Sequence, residues 1–412
     1  MTDSPAFDVD FVRAQFPALS TPWALLDNAG GSVLPVQVRR RIDEYLGRYM
    51  MQTGGGYALS QEVAATLDRA HATGEALMGA AAGEVAILPS TTAAASVLAR
   101  ALRPLWRPGD VVVISELDHE ANIGPWTALA ATGIEIRQWR MRPETGELAL
   151  EDLEAILDPR VRLVAMTHCA NVIGRIHDVA AVAERVHAAG AQLCVDGVAY
   201  APHRLVDVAA LGVDYYMLSL YKVYGPHQAL LWGRRELLLA AKGQNHSFIP
   251  ESELPYKLEP GNVNHELAAG IPGILDYLRS VDARHHEGPQ ADDRSALARC
   301  FTRIAAHESA LIEPLLAFLA DHPKVRLIGP RSSDPSLRVP TVAFTVEGRP
   351  SREIPEALEE HHLAIRWGHF YAPRAIRALG LNEADGIIRV SAVHYNTAEE
   401  ISRLIAALEQ VL

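Results

Sequence analysis

Short apolar runs alternate with longer stretches of helical periodicity through the first two-thirds of the chain. Val85-Ala86-Ile87-Leu88 reads as a strand, and apolar positions then recur at helical spacing from Thr92 to Leu102. Val111-Val112-Val113-Ile114 and Arg162-Leu163-Val164-Ala165-Met166 are further strand-like runs, the second followed by a helical pattern over about Val179 to Ala189. Gln192-Leu193-Cys194-Val195 and Tyr215-Tyr216-Met217-Leu218 continue the series. Continuous apolar runs separated by helices predict an α/β fold, a mostly parallel sheet covered on both faces. Gln228 to Trp232 follows Lys222 too closely for a helical crossover, so one antiparallel strand is expected there.

From Gly243 to His265 the pattern turns polar and carries Pro and Gly, which predicts a long loop. A helix over about Leu267 to Ser280 then carries the chain onward. Helices near Ser295 to Ala320, strands near Val325 and over Val339 to Val346, and a terminal helix from Thr397 to Leu412 follow. Thr397, with Glu400 three residues on, matches a capping box. The expected organisation is a large domain over residues 25–270 and a smaller α+β domain made of residues 1–24 and 271–412. No internal repeat or low-complexity tract interrupts it.

Composition narrows the function classes. The 412 residues fit about two domains, and 49% hydrophobic with 21% charged residues is ordinary for a globular chain. Lys plus Arg is 38 and Asp plus Glu is 50, so 38 − 50 leaves −12; with no basic run, nucleic acid is not an expected partner. Met1-Thr2-Asp3-Ser4-Pro5 lacks the charged start and apolar core of a secretory leader, and no apolar stretch approaches the ~18 residues of a membrane span. Cys169, Cys194 and Cys300 show no CxxC spacing, which suits a reducing cytoplasm and argues against a zinc cluster. No metal site is expected.

The candidate chemistry follows the strands. Open parallel sheets bind ligands beyond the carboxyl ends of their strands. Ser90-Thr91-Thr92 opens a helix after the first run, and free N–H groups there suit a phosphate, though a plain helix cap reads the same way. Asp118-His119-Glu120-Ala121-Asn122, Thr167-His168-Cys169-Ala170-Asn171, Asp196 and Ser219-Leu220-Tyr221-Lys222 follow the others. Lys222 is one of only four lysines, with Lys242, Lys257 and Lys324. Alone it is equally a solvated or ion-paired lysine; desolvated, it could form a Schiff base with a carbonyl. Asp196 changes the balance, because a carboxylate at an interior strand end needs a cationic or hydrogen-bonding partner. A lysine, an aspartate for a ring nitrogen and a helix N-terminus for phosphate together describe a site for pyridoxal 5′-phosphate, with His119 able to stack on the ring.

At these residues the chain resembles fold-type I pyridoxal-phosphate enzymes of the class V aminotransferase and cysteine desulfurase superfamily. The resemblance runs from Leu26-Asp27-Asn28-Ala29-Gly30-Gly31 to Arg389-Val390-Ser391-Ala392-Val393-His394-Tyr395-Asn396-Thr397. Gly54-Gly55-Gly56-Tyr57 and Trp367-Gly368-His369-Phe370-Tyr371-Ala372 look most like the cysteine desulfurase-like branch. The resemblance implies that Lys222 holds the cofactor and moves the Cα proton, that Asp196 bonds the pyridine nitrogen and that His119 stacks on the ring. It implies Asn171 at the phenolic oxygen, Thr91, Thr92 and Ser219 at the phosphate, and Arg389 at the α-carboxylate of an amino-acid substrate, with Asn28, Ala29 and Tyr57 nearby. A homodimer is implied too, with Asn262 standing where relatives place a threonine that reaches the partner subunit's phosphate.

Departures from the family pattern bear on the reaction. Tyr371 occupies the place of the loop cysteine that accepts sulfur in desulfurases, and a phenol cannot carry a persulfide. Tyr221 replaces the histidine that usually precedes the lysine, and Ala199 replaces a residue that often touches the ring oxygen, leaving Asn171 and Tyr200 for that contact. The expected activity is therefore chemistry on an amino acid through an external aldimine, by β-elimination of the C–S lyase type without sulfur capture. Tyr371 or Tyr57 would serve as second acid or base. Transamination and epimerisation remain open, as does a non-catalytic binding protein that keeps the fold.

Overall fold

The computed structural model describes residues 7–48, 51–288 and 292–412; the segment read against a leader, residues 1–5, lies outside them. Seven strands build the larger sheet: β1 (Val85–Leu88), β2 (Val111–Ser115), β3 (Glu135–Trp139), β4 (Val161–Thr167), β5 (Gln192–Asp196), β6 (Tyr215–Ser219) and β7 (Ala229–Gly233). They lie in the order β1-β7-β6-β5-β4-β2-β3. β2 to β6 pair in parallel, and β7 runs antiparallel to both β1 and β6. The single reversed strand expected after Lys222 is β7.

These strands are buried because both faces are covered. Every residue of β1, β2, β6 and β7 is buried, whereas β3 at the sheet's edge is half open. Residues of alternate parity enter two cores. Ile87, Val113, Val164 and Leu193 belong to one, and Leu88, Val112, Leu163 and Cys194 to the other. That alternation places strand ends, rather than strand faces, at the solvent.

A four-stranded sheet, β10-β11-β9-β8, forms from β8 (Val325–Ile328), β9 (Thr341–Val346), β10 (Arg366–Gly368) and β11 (Ile387–Ser391), antiparallel throughout. The Asp293–Asp321 helix and the terminal Ala398–Val411 helix supply apolar side chains to its core; Thr397 and Glu400 make the expected capping box. The helix expected over 267–280 is two pieces, His265–Gly270 and Pro272–His285. Ala24–Leu25 pairs in parallel with Leu363–Ala364 as a separate two-stranded sheet, and the Asp27–Ser391 bridge then ties the chain to the small sheet. No helix among the described residues is long and apolar enough to cross a membrane, and no cluster of three metal-ligating side chains occurs among them.

Candidate active site

Residues following β1, β2, β4, β5 and β6 line a single pocket, the five strand ends that carry the polar groups in the sequence. After β1, Ser90 caps the Thr91–Leu102 helix, its hydroxyl accepting from Ala93 N at 3.1 Å. The Thr91 and Ser219 hydroxyls meet at 2.6 Å, tying the ends of β1 and β6 together beside the helix N-terminus. Two hydroxyls and the positive end of a twelve-residue helix make a place for an anionic group.

At the end of β5, Asp196 is buried, and Val198 N donates to its Oδ1 at 2.9 Å. Burial raises its pKa, opposed by that bond and by the Lys222 charge. Gly197 lets this turn pass Tyr216, because a Cβ there would lie 2.1 Å from the tyrosine ring. Lys222 sits in a short turn after β6, buried in the pocket wall. Burial and then the Arg389 charge lower its pKa, which favours the free amine. Neither Lys222 nor Asp196 has an ion-pair partner within 4 Å among the described residues.

His119 lines the opposite part of the wall. Its Nδ1 accepts from Ala121 N at 3.0 Å, which leaves the proton on Nε2. Burial, then the charges of Lys222 and Arg389, lower its pKa to about 4, so the ring is neutral and flat-faced. Behind it, buried Asp118 is held by Ser115 Oγ and by Asn122 Nδ2 at 2.7 Å, and burial lifts its carboxyl to about 7.

Arg389, on β11 of the small sheet, donates from Nη2 to Asp27 Oδ1 at 2.8 Å and from Nη1 to the Asn171 carbonyl at 3.1 Å. Its guanidinium lies 3.8 Å from the Phe370 ring centroid, and its buried Nε has no partner. Phe370 and Tyr371 both adopt left-handed backbone, φ 49 and 58. That costs a side-chain-bearing residue energy unless something holds it. Here Asn171 Nδ2 donates to Phe370 O at 2.9 Å and Glu120 N to Tyr371 O at 2.7 Å. The exposed Tyr371 ring lies 5.2 Å from His119.

The family model for aminotransferase class-V matches residues 24–404. The chain belongs to that family. An aminotransferase-like protein of Gibberella zeae is 40% identical, the match spanning 99% of this chain and 100% of the relative. A cysteine desulfurase-like protein of Aspergillus flavus is 32% identical over 98% of this chain and 91% of the relative. Among solved structures, a cysteine desulfurase from Escherichia coli superposes with a TM-score of 0.82 at 25% identity, covering 98% of each chain. The architecture is thus the α/β sheet expected from the strand pattern and the fold-type I class that the resemblance implies.

Class V enzymes use pyridoxal 5′-phosphate, and the pocket fits it. Lys222 and Asp196 are buried without an ion-pair partner among the described residues, and the helix N-terminus with two hydroxyls stands at the same wall. Other residues named from the class V resemblance, Arg389 and Tyr371 among them, do not line this pocket. Asn28 Nδ2 is spent on Leu25 O, Ser391 O and Asn396 Oδ1, and Ala29 N donates to Ser391 Oγ, so both splice the chain to β11. Tyr57 is half exposed outside the pocket wall. Asn262 lines a separate cavity with His71 and Glu259. Tyr200 is stacked on His168, 3.6 Å between ring centroids. Sequence reasoning missed Asp27, the acid of its own quoted motif, as the Arg389 partner, and Cys169 in the pocket wall.

Proposed function

We propose that this chain is a lyase that removes a β-substituent from an amino acid, releasing the leaving group without storing sulfur on the protein. What supports the reading is the absence of a usable thiol. Tyr371 stands on the loop where desulfurases carry their cysteine, and Cys169, Cys194 and Cys300 are all buried free thiols. Burial holds Cys169, the one in the pocket wall, up at about 12, and raises the other two as well. A thiol at such a pKa is not a nucleophile near neutral pH.

Thr91, Thr92 and Ser219 would hold the cofactor's phosphate, Asp196 its pyridine nitrogen, Lys222 its aldehyde end and His119 a face of its ring. Pyridoxal 5′-phosphate, when bound, supplies an electron sink for charge left at a substrate Cα. Arg389 offers its unpaired Nε and remaining Nη protons to the substrate carboxylate, a planar fork that fixes the amino acid's orientation. Lys222 Nζ, its proton loosened by burial so that the free amine is favoured, takes the Cα proton. The Cβ–leaving-group bond breaks, and the Tyr371 hydroxyl returns a proton to the departing group. His119, neutral and fixed by Ala121 N, packs without competing for that proton.

Incubating the holoenzyme with L-cysteine, its S-conjugates and a panel of L- and D-amino acids tests the reading. Pyruvate and free thiol or sulfide in equal amounts are expected, with no protein-bound persulfide by mass. An amino acid of inverted configuration, or amino transfer to a keto acid, would replace it by epimerisation or transamination. Colour with no turnover would make the chain a binding protein.

A homodimer in a reducing cytoplasm completes the proposal. Exposed Val36 and Leu46 on the Val36–Arg48 helix, with Met51, Tyr57 and Leu59, give a partner apolar surface to cover. Sedimentation as a monomer at working concentration would contradict it.

A further inference from the structure

Three site-bearing segments meet at a buried imidazole that touches none of the reacting groups. His394 lies three residues beyond Ser391, the end of the strand that carries Arg389. Tyr224 lies two residues beyond Lys222, and Pro202 six beyond Asp196. The Tyr224 hydroxyl stands 2.9 Å from Pro202 O and 2.9 Å from His394 Nδ1; Tyr277 OH stands 2.5 Å from His394 Nε2. His394, Tyr224 and Tyr277 are all fully buried. Water therefore corrects none of these pairings.

The proton order follows from donor and acceptor counts. Pro202 O can only accept, so the single Tyr224 proton points to it. The Tyr224 oxygen must then accept from His394 Nδ1–H. That leaves Nε2 bare, and Tyr277 O–H donates to it. Each donor and acceptor is used once, and the imidazole is neutral; burial and the nearby His307 and His203 charges push its pKa well down. Tyr224 also has φ 60, a left-handed backbone that a tyrosine adopts only when its surroundings hold it. The hydroxyl at the ring's tip supplies that hold.

We propose that His394 is a positioning residue: as the Nδ1-protonated imidazole between Tyr277 and Tyr224, it fixes the lysine-bearing turn against the segments that carry Arg389 and Asp196. The inference rests on the roles given above to Lys222 and Arg389. It holds whether the chemistry is elimination, transamination or epimerisation.

Tyr224→Phe and Tyr277→Phe separate positioning from packing, since each removes one hydroxyl from a fully buried ring. Tyr277→Phe leaves Nδ1–H on Tyr224 and the lysine turn tethered; Tyr224→Phe cuts the tether. Comparable losses of melting temperature are expected from both. Only Tyr224→Phe should also lower kcat about tenfold or more, the scale expected for a small misplacement of a reacting group, and move the pH midpoint of the lysine–cofactor absorbance band. Equal kcat and equal band midpoints in two folded variants would overturn the proposal.

Should Tyr224→Phe not fold, the wild-type holoenzyme decides. With 15N-labelled histidine, the signal missing in His394→Gln must show a protonated Nδ1 and a bare Nε2. A proton on Nε2 overturns the wiring. Lys222→Ala keeping the lysine-type absorbance band would instead sink the underlying reading and leave the His394 tautomer untouched.

Discussion

At the strand ends of the large sheet, Lys222 and Asp196 are buried without an ion-pair partner, while on the small sheet Arg389 already has Asp27, the Asn171 carbonyl and the Phe370 ring. A buried charge without a partner is costly, so the first half of the site is stable only when something else completes it. A buried guanidinium held on two sides is fixed in place beforehand, so the second half can select a carboxylate without rearranging. On the proposed roles, the contrast is between a region completed by a resident cofactor and one set to meet a transient substrate.

The largest effect should come from the first region. Lys222→Ala removes the group assigned to the cofactor's aldehyde and to the Cα proton, and turnover should fall at least about 10²- to 10⁴-fold. The lysine-type visible band should vanish with it. Turnover near wild type in the substituted protein would mean that another base does the work.

Removing the cofactor sharpens the comparison. Apoenzyme leaves Asp196 and Lys222 without an ion-pair partner, and holoenzyme at a hundredfold excess over Kd should be about 2.7 kcal/mol more stable by linkage alone. Heating scans of the two forms measure it. Identical melting temperatures, with binding verified by absorbance, would show that the pocket does not depend on its occupant.

Phe370→Ala probes the second region. It removes a cation–π contact at a desolvated guanidinium, about 1–2 kcal/mol. Because the ring orients Arg389 rather than the reacting atoms, the loss should appear in KM, about fivefold to thirtyfold, with kcat little changed. A fall confined to kcat would place Phe370 in the chemistry instead.

How far each region could be read from the chain follows from the same contrast. The pocket wall was legible because each strand end carries its own polar residue within a few positions of an apolar run, so Thr91, His119, Asn171, Asp196 and Lys222 announce themselves locally. Even β3 escaped notice, since as an edge strand with exposed Glu135 and Gln138 it lacks a buried apolar run. The substrate arm depends on distant pairings. Asn171 meets Phe370 across 199 residues and Arg389 meets Asp27 across 362. No local pattern encodes these. The bonds of Asn28 and Ala29 to Ser391 and Asn396, which splice this segment to β11, are likewise long-range.

Protons beneath the pocket give an effect that depends on pH. Asp118 is raised to about 7, mainly by burial, with Asp196 repelling its charge and Cys194 buried close by. Between about pH 4, where the unfolded carboxyl titrates, and pH 7, the folded state holds one more proton, so this group makes stability fall as pH rises. His119, lowered to about 4, and His168 and His177, lowered to about 3, act oppositely. They take protons first in the unfolded chain, so stability falls as pH drops below about 6.5. Asp118→Asn keeps an acceptor for Asn122 and a donor for Ser115 but removes the titration. Its stability relative to wild type should therefore rise by up to about 1.4 kcal/mol per pH unit from pH 4 and level off above pH 7. Both proteins keep the same loss on acidification, because the histidines are untouched. Urea midpoints from pH 4 to 9 give the difference curve directly; a flat one would mean that Asp118 stays ionised in the fold and that burial there is offset by its hydrogen bonds.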